Sequence, residues 1–202
     1  VRKVLHSGDV AEIVRIGCSY SVNPYEKLRL MADECLKVAH LPGEGADLGS
    51  WRGGSALILR RLAPERVLHL FDTWAGTPHD DPLCHHRRGE WAASRADCEA
   101  VVGAAGPLTR YHEGEFPHTG ADSDVGDEFC FVYVDVDTYQ STRDALEFFW
   151  PRVVGGGRLL VDDYGWEPCA GVKKAVDEWF SGRTDTRMRV VESNHTWIAE
   201  KR

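Results

Sequence analysis

Two apolar runs that each end in acids constrain this chain more than any other feature. Phe129, Phe131, Val132, Tyr133 and Val134 lead into Asp135-Val136-Asp137, and Leu159, Leu160 and Val161 lead into Asp162-Asp163. Both runs carry the aromatic, aliphatic and β-branched residues that suit strands. Between them Ala145, Leu146, Phe149 and Trp150 recur at helical spacing, and Pro151 with Gly155, Gly156 and Gly157 marks the stop. Strand, crossover helix and strand make a βαβ unit whose two strands lie parallel in one sheet. Carboxylates at the carboxyl ends of such strands meet in the crevice where open α/β sheets bind ligands.

The alternation extends along the chain. The spacing of Leu28, Leu30, Met31, Ala32, Cys35, Leu36 and Val38 predicts a helix over 25–39, stopped by Pro42 and Gly43. Residues 44–49 read as a short strand entering the turn Ser50-Trp51-Arg52-Gly53-Gly54-Ser55, with an apolar helix over 56–62 behind it. Strands over 67–71 and 108–112, helices over 91–102 and 168–180, and a hairpin from 187–191 and 195–200 complete the order. Alternating strands and helices finished by a hairpin imply a doubly wound, mostly parallel α/β sheet with an antiparallel C-terminal end. Residues 1–24, broken by Gly8, Gly17 and Pro24, read as a lead-in or cap, and 25–202 as one domain.

Composition narrows the class. With 202 residues, 43% of them hydrophobic, the chain suits one globular domain with a substantial core. A formal net charge of −8 and scattered basic residues argue against a nucleic-acid surface. No signal peptide and no apolar run near the ~20 residues of a membrane span are evident. The six cysteines are widely spaced without CxxC pairs, which points to reduced thiols in a cytoplasm rather than structural zinc. The chain begins at Val1 rather than Met, which leaves room for a missing N-terminal piece. The polar loop over 78–90, with Cys84, His85 and His86, reads as a substrate-covering lid.

A glycine turn between strand and helix lets a ligand approach the backbone and frees helix N–H groups for an anion, although it is also an ordinary connector. Asp72, about 20 residues further on, stands where a ribose diol is held. Together they point to an adenosine-containing cofactor. Asp135, Asp162 and Asp163 would raise one another's pKa unless a cation neutralises them, and oxygen donors favour Mg²⁺, Ca²⁺ or Mn²⁺. The alternative is acids that face solvent or cap helices. Asp137 is placed to act as a general base, with His112, His118 and His195 as other candidates.

The runs Asp47-Leu48-Gly49-Ser50-Trp51-Arg52-Gly53-Gly54-Ser55, Phe71-Asp72-Thr73-Trp74-Ala75-Gly76-Thr77-Pro78, Gly89-Glu90-Trp91, Asp135-Val136-Asp137-Thr138-Tyr139-Gln140-Ser141-Thr142 and Asp162-Asp163-Tyr164-Gly165 closely resemble the macrocin O-methyltransferase (TylF) family. The resemblance covers nearly everything from Tyr25 onward. It implies a Rossmann-like class I methyltransferase fold with a seven-stranded sheet. It also implies S-adenosylmethionine and Mg²⁺ as cofactors, and methylation of a sugar hydroxyl on a small glycosylated acceptor of antibiotic biosynthesis. A homo-oligomer, a dimer, follows from the same source. Carried over residue by residue, Asp47, Gly49, Ser50, Arg52, Gly53 and Ser55 resemble the cradle of the cofactor's amino-acid end. Asp72 and Thr73 resemble its ribose site, Gly114 and Glu115 its adenine wall, Asp135, Asp162 and Asp163 the metal ligands, and Asp137 the base.

Three departures are visible. Asp47 replaces the family's usual Glu, Trp74 its usual Phe, and the N-terminal region is short, which bears on the acceptor more than on the reaction. An NAD-dependent oxidoreductase fits less well, since Gly49, Gly53 and Gly54 do not make GxGxxG and the acids have no role in hydride transfer. A catechol-type methyltransferase would use the same ion and a diol. The intact acid set argues against a catalytically silent scaffold.

Overall fold

The computed structural model describes residues 6–122 and 124–202. Its seven strands are β1 (Glu44–Leu48), β2 (Leu68–Asp72), β3 (Thr109–Glu113), β4 (Phe129–Val134), β5 (Val153–Val161), β6 (Thr186–Val191) and β7 (Thr196–Lys201). They form one sheet in the order β3-β2-β1-β4-β5-β7-β6. β1 to β5 pair parallel, and β7 runs antiparallel to both neighbours. The expected hairpin is present, but its last strand is inserted into the sheet and β6 takes the edge. Side chains explain the placement: Trp197, Ile198 and Ala199 of β7 are buried, whereas Arg187, Met188, Arg189 and Val190 of β6 are exposed. Charged edge strands discourage pairing with another chain.

The helices are α1 (Ser7–Cys18), α2 (Tyr25–Lys37), α3 (Gly54–Leu62), α4 (Arg95–Val102), α5 (Tyr139–Arg152) and α6 (Ala170–Phe180). From Phe131 to Val134 the two-residue period of β4 divides the core between the two faces of the sheet, and the register shift before Phe131 puts Phe129 on the same face as Val132. Phe131 and Tyr133 pack with Leu28, Met31 and Ile58 of α2 and α3, while Phe129, Val132 and Val134 pack with Leu146, Phe149 and Val172 of α5 and α6. Phe149 is fully buried, with ring centroids 5.1 Å from Phe129 and 5.8 Å from Phe71. Truncating such a side chain to alanine costs about 3–5 kcal/mol.

Three local differences from the sequence reading have physical causes. Residues 1–24 contain α1, whose stripe of Val10, Val14 and Gly17 is too narrow to stand out as a periodicity. Gly17 permits close packing: a Cβ there would lie 2.5 Å from Ile58 Cδ1 and 2.8 Å from Gly54 O, and one on Gly54 would lie 2.7 Å from Gly17 O. Gly155, Gly156 and Gly157 sit within β5 as a bulge, where pairing to β4 jumps from Phe129↔Val153 to Phe131↔Arg158. Helix α4 starts at Arg95 rather than Trp91, because Ser94 Oγ accepts Asp97 N–H as its N-cap. Among the described residues, no helix is long and apolar enough to cross a membrane.

Candidate active site

Pairing continues one residue past several strands, which sets their carboxyl ends along a single rim. Asp135 N donates to Leu48 O at 2.9 Å, Asp162 N to Val134 O at 2.8 Å, Gly49 N to Phe71 O at 2.9 Å and Gly114 N to Asp72 O at 3.0 Å. Beside this rim lies a cleft enclosing about 950 Å³ out to its open mouth.

One half of the cleft is built by the glycine turn. Gly49 has φ +84°, and a Cβ there would lie 1.8 Å from Asp135 O, so the chain leaves β1 close against the end of β4 where only glycine fits. Gly53, φ +88°, caps α3. Asp72 ties the turn to β2: its Oδ2 accepts Trp51 N–H and its Oδ1 accepts Trp74 N–H, both at 2.7 Å. Burial raises the Asp72 pKa, and those N–H groups oppose the rise. Each Asp72 oxygen keeps further acceptor capacity for a diol. Asp47 lies fully buried beneath the turn, with Oδ2 accepting Ser50 Oγ–H and Ser55 Oγ–H, both at 3.0 Å. Its Oδ1 has no partner among the described residues, and burial pushes its pKa up to about 7. An orphaned buried acceptor under a glycine cradle fits a ligand that brings a donor, as the amino end of S-adenosylmethionine would.

The other half is acidic. One oxygen each from Asp135, Asp137 and Asp163 lies within 4.8 Å of the other two. Asp135 Oδ2 accepts Asn23 Nδ2–H at 3.0 Å, and Asp162 Oδ2 accepts Tyr133 O–H at 2.9 Å. Lys27 Nζ reaches both members of the second pair, 2.9 Å from Asp162 Oδ1 and 3.0 Å from Asp163 Oδ1. Burial and then the neighbouring acids raise Asp135 well above the carboxylate range, Asp137 to about 7 and Asp162 to about 6. Burial alone would lower Lys27, but Asp162 and Asp163 hold it above its ordinary value. Four carboxylates facing one ammonium leave an excess of negative charge, and this all-oxygen donor set fits a hard divalent cation. Asp137 and Asp163 hold φ of +62° and +57°, and Trp51 and Trp91 of the cleft +44° and +61°. Backbone strain of this kind clusters at functional sites.

Of the residues expected to touch the cofactor, Gly49, Ser50, Ser55, Asp72, Thr73 and Gly114 line the cleft. Asp47 and Gly53 support the turn from below, and Arg52 and Glu115 are exposed, Arg52 stacking 4.5 Å over the Trp51 ring. Of the expected metal ligands, Asp135 and Asp163 converge with Asp137, while Asp162 turns to Tyr133 and Lys27. Among the alternative bases, His112 is buried against His69 and Asp122, His118 starts a short 3₁₀ helix, and His195 sits in the hairpin. Sequence reasoning missed Lys27, Asn23 and Tyr133. A visible signal existed for Lys27, which shares the buried face of α2 with Leu28 and Met31.

A sheet in this order with β7 antiparallel, opening on a glycine turn and an acid at the end of β2, defines the class I methyltransferase fold. The chain belongs to the macrocin-O-methyltransferase (TylF) family, whose model matches residues 25–193. It is 29% identical over 157 residues to demethyldecarbamoylnovobiocin O-methyltransferase of Streptomyces niveus, covering 69% of this chain and 59% of that protein. Mycinamicin III 3''-O-methyltransferase of Micromonospora griseorubida is 25% identical over 158 residues, covering 69% and 61%. The chain thus spans about 60% of the length of these curated relatives. Among solved structures, the O-methyltransferase NovP superposes with TM-score 0.78 at 21% identity over 95% of this chain and 88% of that one. The calicheamicin methyltransferase CalS11 gives 0.72 at 16% identity, covering 100% and 94%.

Proposed function

We propose that this protein transfers the methyl group of S-adenosylmethionine to a sugar hydroxyl of a glycosylated natural product, assisted by a divalent ion, Mg²⁺ in the first place. The observation that carries this reading is the double position of Asp135, which lines the cleft beside Gly49 and Asp72 and also joins Asp137 and Asp163 in the acid cluster. Bound S-adenosylmethionine supplies an electrophilic methyl group, and a bound divalent ion supplies charge that lowers the pKa of an acceptor hydroxyl.

The chain's own residues do the rest. The turn over 49–55 and Asp72 hold the donor, and Asp135 and Asp163, with Asp162 behind them, hold the ion. Asp137 takes the hydroxyl proton as transfer proceeds. Lys27 pairs with Asp162 and Asp163 and fixes their positions. Tyr20, Val22 and Trp91 offer exposed apolar surface on the cleft lining, suited to the rest of an acceptor. The named acceptors of the relatives, a novobiocin precursor, a rhamnosyl tetracenomycin and mycinamicin III, support a sugar hydroxyl as the target. The widely spaced cysteines, with no CxxC pair, support a reducing cytoplasm, and a homodimer is the assembly this reading carries.

The test is incubation with labelled S-adenosylmethionine and Mg²⁺ over glycosylated natural products and catechols, repeated with a chelator. Label on a sugar hydroxyl, lost with the chelator, is the expected result. Label on catechols alone would replace the sugar by an aromatic diol, and tight NAD binding without S-adenosylhomocysteine binding would overturn the reaction class.

A further inference from the structure

The loop over 78–90 meets the cleft at Pro78, and beyond that point it is held in place. Asp81 Oδ1 accepts Leu83 N–H at 2.8 Å and its Oδ2 accepts Tyr139 N–H at 2.6 Å. His85 N donates to Pro168 O at 2.8 Å, and Gly171 N donates to Leu83 O at 3.1 Å. These bonds staple the loop to the starts of α5 and α6.

The stapling brings together donors from three separate stretches. Cys84 Sγ lies 3.8 Å from Cys169 Sγ, and Cys169 Sγ lies 4.0 Å from Asp137 Oδ1. His86, Asp137 and Cys169 each offer a ligand atom within 4.8 Å of the other two. Both thiols border the apolar core around Val172, and packing accounts for their contact on that side. An imidazole and a carboxylate complete the surroundings. Two thiolates bound tetrahedrally at about 2.3 Å from one zinc ion stand roughly 3.8 Å apart. His86 Nδ1 also lies 3.3 Å from Glu90 Oε2, the type of carboxylate partner that orients a ligating imidazole.

We propose that Cys84, His86, Asp137 and Cys169 form a second cation site, selective for thiophilic divalent ions such as Zn²⁺, and that an ion held there withdraws Asp137 from the acceptor. Sulfur and nitrogen donors distinguish it from the all-oxygen cluster, which suits harder ions. Asp137 belongs to both groups of ligands, so an ion on the sulfur side draws electron density and lone pairs from the carboxylate that would take the acceptor's proton. Coordination replaces the two thiol protons, which pass to solvent, and nothing is oxidised. His86 and Asp137 are only partly buried, which leaves a path for the ion. The inhibitory half rests on the reading of Asp137 as base, and the binding half does not.

The test titrates Cd²⁺ into the protein in excess Mg²⁺ and follows cadmium–thiolate charge-transfer absorption in the ultraviolet. One saturable ion per chain is expected, displaced by Zn²⁺, with the band lost in Cys169→Ser and affinity at least ~10-fold weaker in Cys84→Ser and in His86→Ala. His86 lies outside the core, so its variant decides the matter if the cysteine variants fail to fold. No saturable band, or one unchanged in a folded Cys169→Ser or His86→Ala protein, overturns the site. Zn²⁺ should also inhibit methyl transfer at saturating Mg²⁺, with a weaker effect on His86→Ala relative to that variant's own rate. Binding without inhibition overturns the inhibitory half alone, and full turnover by Asp137→Asn would remove the base assignment while leaving the cadmium result standing.

Discussion

Lys27 Nζ lies 2.9 Å from Asp162 Oδ1, and both groups are buried. Removing one partner of a buried ion pair leaves an uncompensated charge, at a cost of about 3–5 kcal/mol. In chelator, Lys27→Met is expected to lose stability of that order. Added Mg²⁺ should restore more stability in the variant than in the wild type, because among the described residues no other cation pairs with Asp162 or Asp163. Urea unfolding of both proteins with and without Mg²⁺ measures this, and equal Mg²⁺ increments would count against the arrangement.

Asp137→Asn should separate folding from chemistry. Asparagine tolerates a φ of +62° as well as aspartate does, so the fold should persist. Turnover should fall by about 10²–10⁴ while S-adenosylhomocysteine affinity stays within roughly threefold. Calorimetry beside steady-state kinetics checks both halves.

Gly49→Ala meets two penalties, a Cβ 1.8 Å from Asp135 O and a φ of +84°. A loss of at least ~2 kcal/mol is expected, together with loss of cofactor binding. Gly8 is the control: a Cβ there meets nothing within 4 Å, and alanine in α1 should leave binding unchanged and stabilise the helix by about 0.5–1 kcal/mol. Thermal melts with S-adenosylhomocysteine titrations distinguish the two.

Asp47 gives a pH-dependent signature. Its folded pKa, raised by burial to about 7, exceeds the ordinary carboxylate value, so the folded state binds this proton more tightly than the unfolded chain. The ionisation penalty is absent below the unfolded pKa, grows as pH rises, and is complete above about 7. At roughly 1.4 kcal/mol per pKa unit it amounts to a few kcal/mol. Asp47→Asn should therefore gain on the wild type between pH ~4 and ~7. Denaturant unfolding across that range checks it, and a pH-independent difference would refute it.

The fold was legible because its signals are local. Strands such as Phe129–Val134 are buried on both faces and read as continuous apolar runs, and the acids that end them mark the carboxyl rim. Asn23 was not legible as a site residue, and Lys27 only as a cation on the apolar face of α2, because what draws them to Asp135 and Asp162 is tertiary packing across more than a hundred residues of chain. The donors around Asp137 escaped for the same reason: Cys84 and Cys169 are 85 residues apart, so no ligand spacing connects them. The glycines of β5 misled in the opposite sense, since a bulge inside a strand and a turn between elements use the same residue.

Gly17 and Gly54 meet with no side chain between them. Two helices in backbone contact behave as a welded joint, and the short link from Tyr20 to Asn23 leaves that joint directly for the cleft. The 20–23 segment and the glycine turn, which both line the cleft, are thus anchored on one contact. A side chain added at Gly17 or Gly54 would force the two helices apart and displace both linings together.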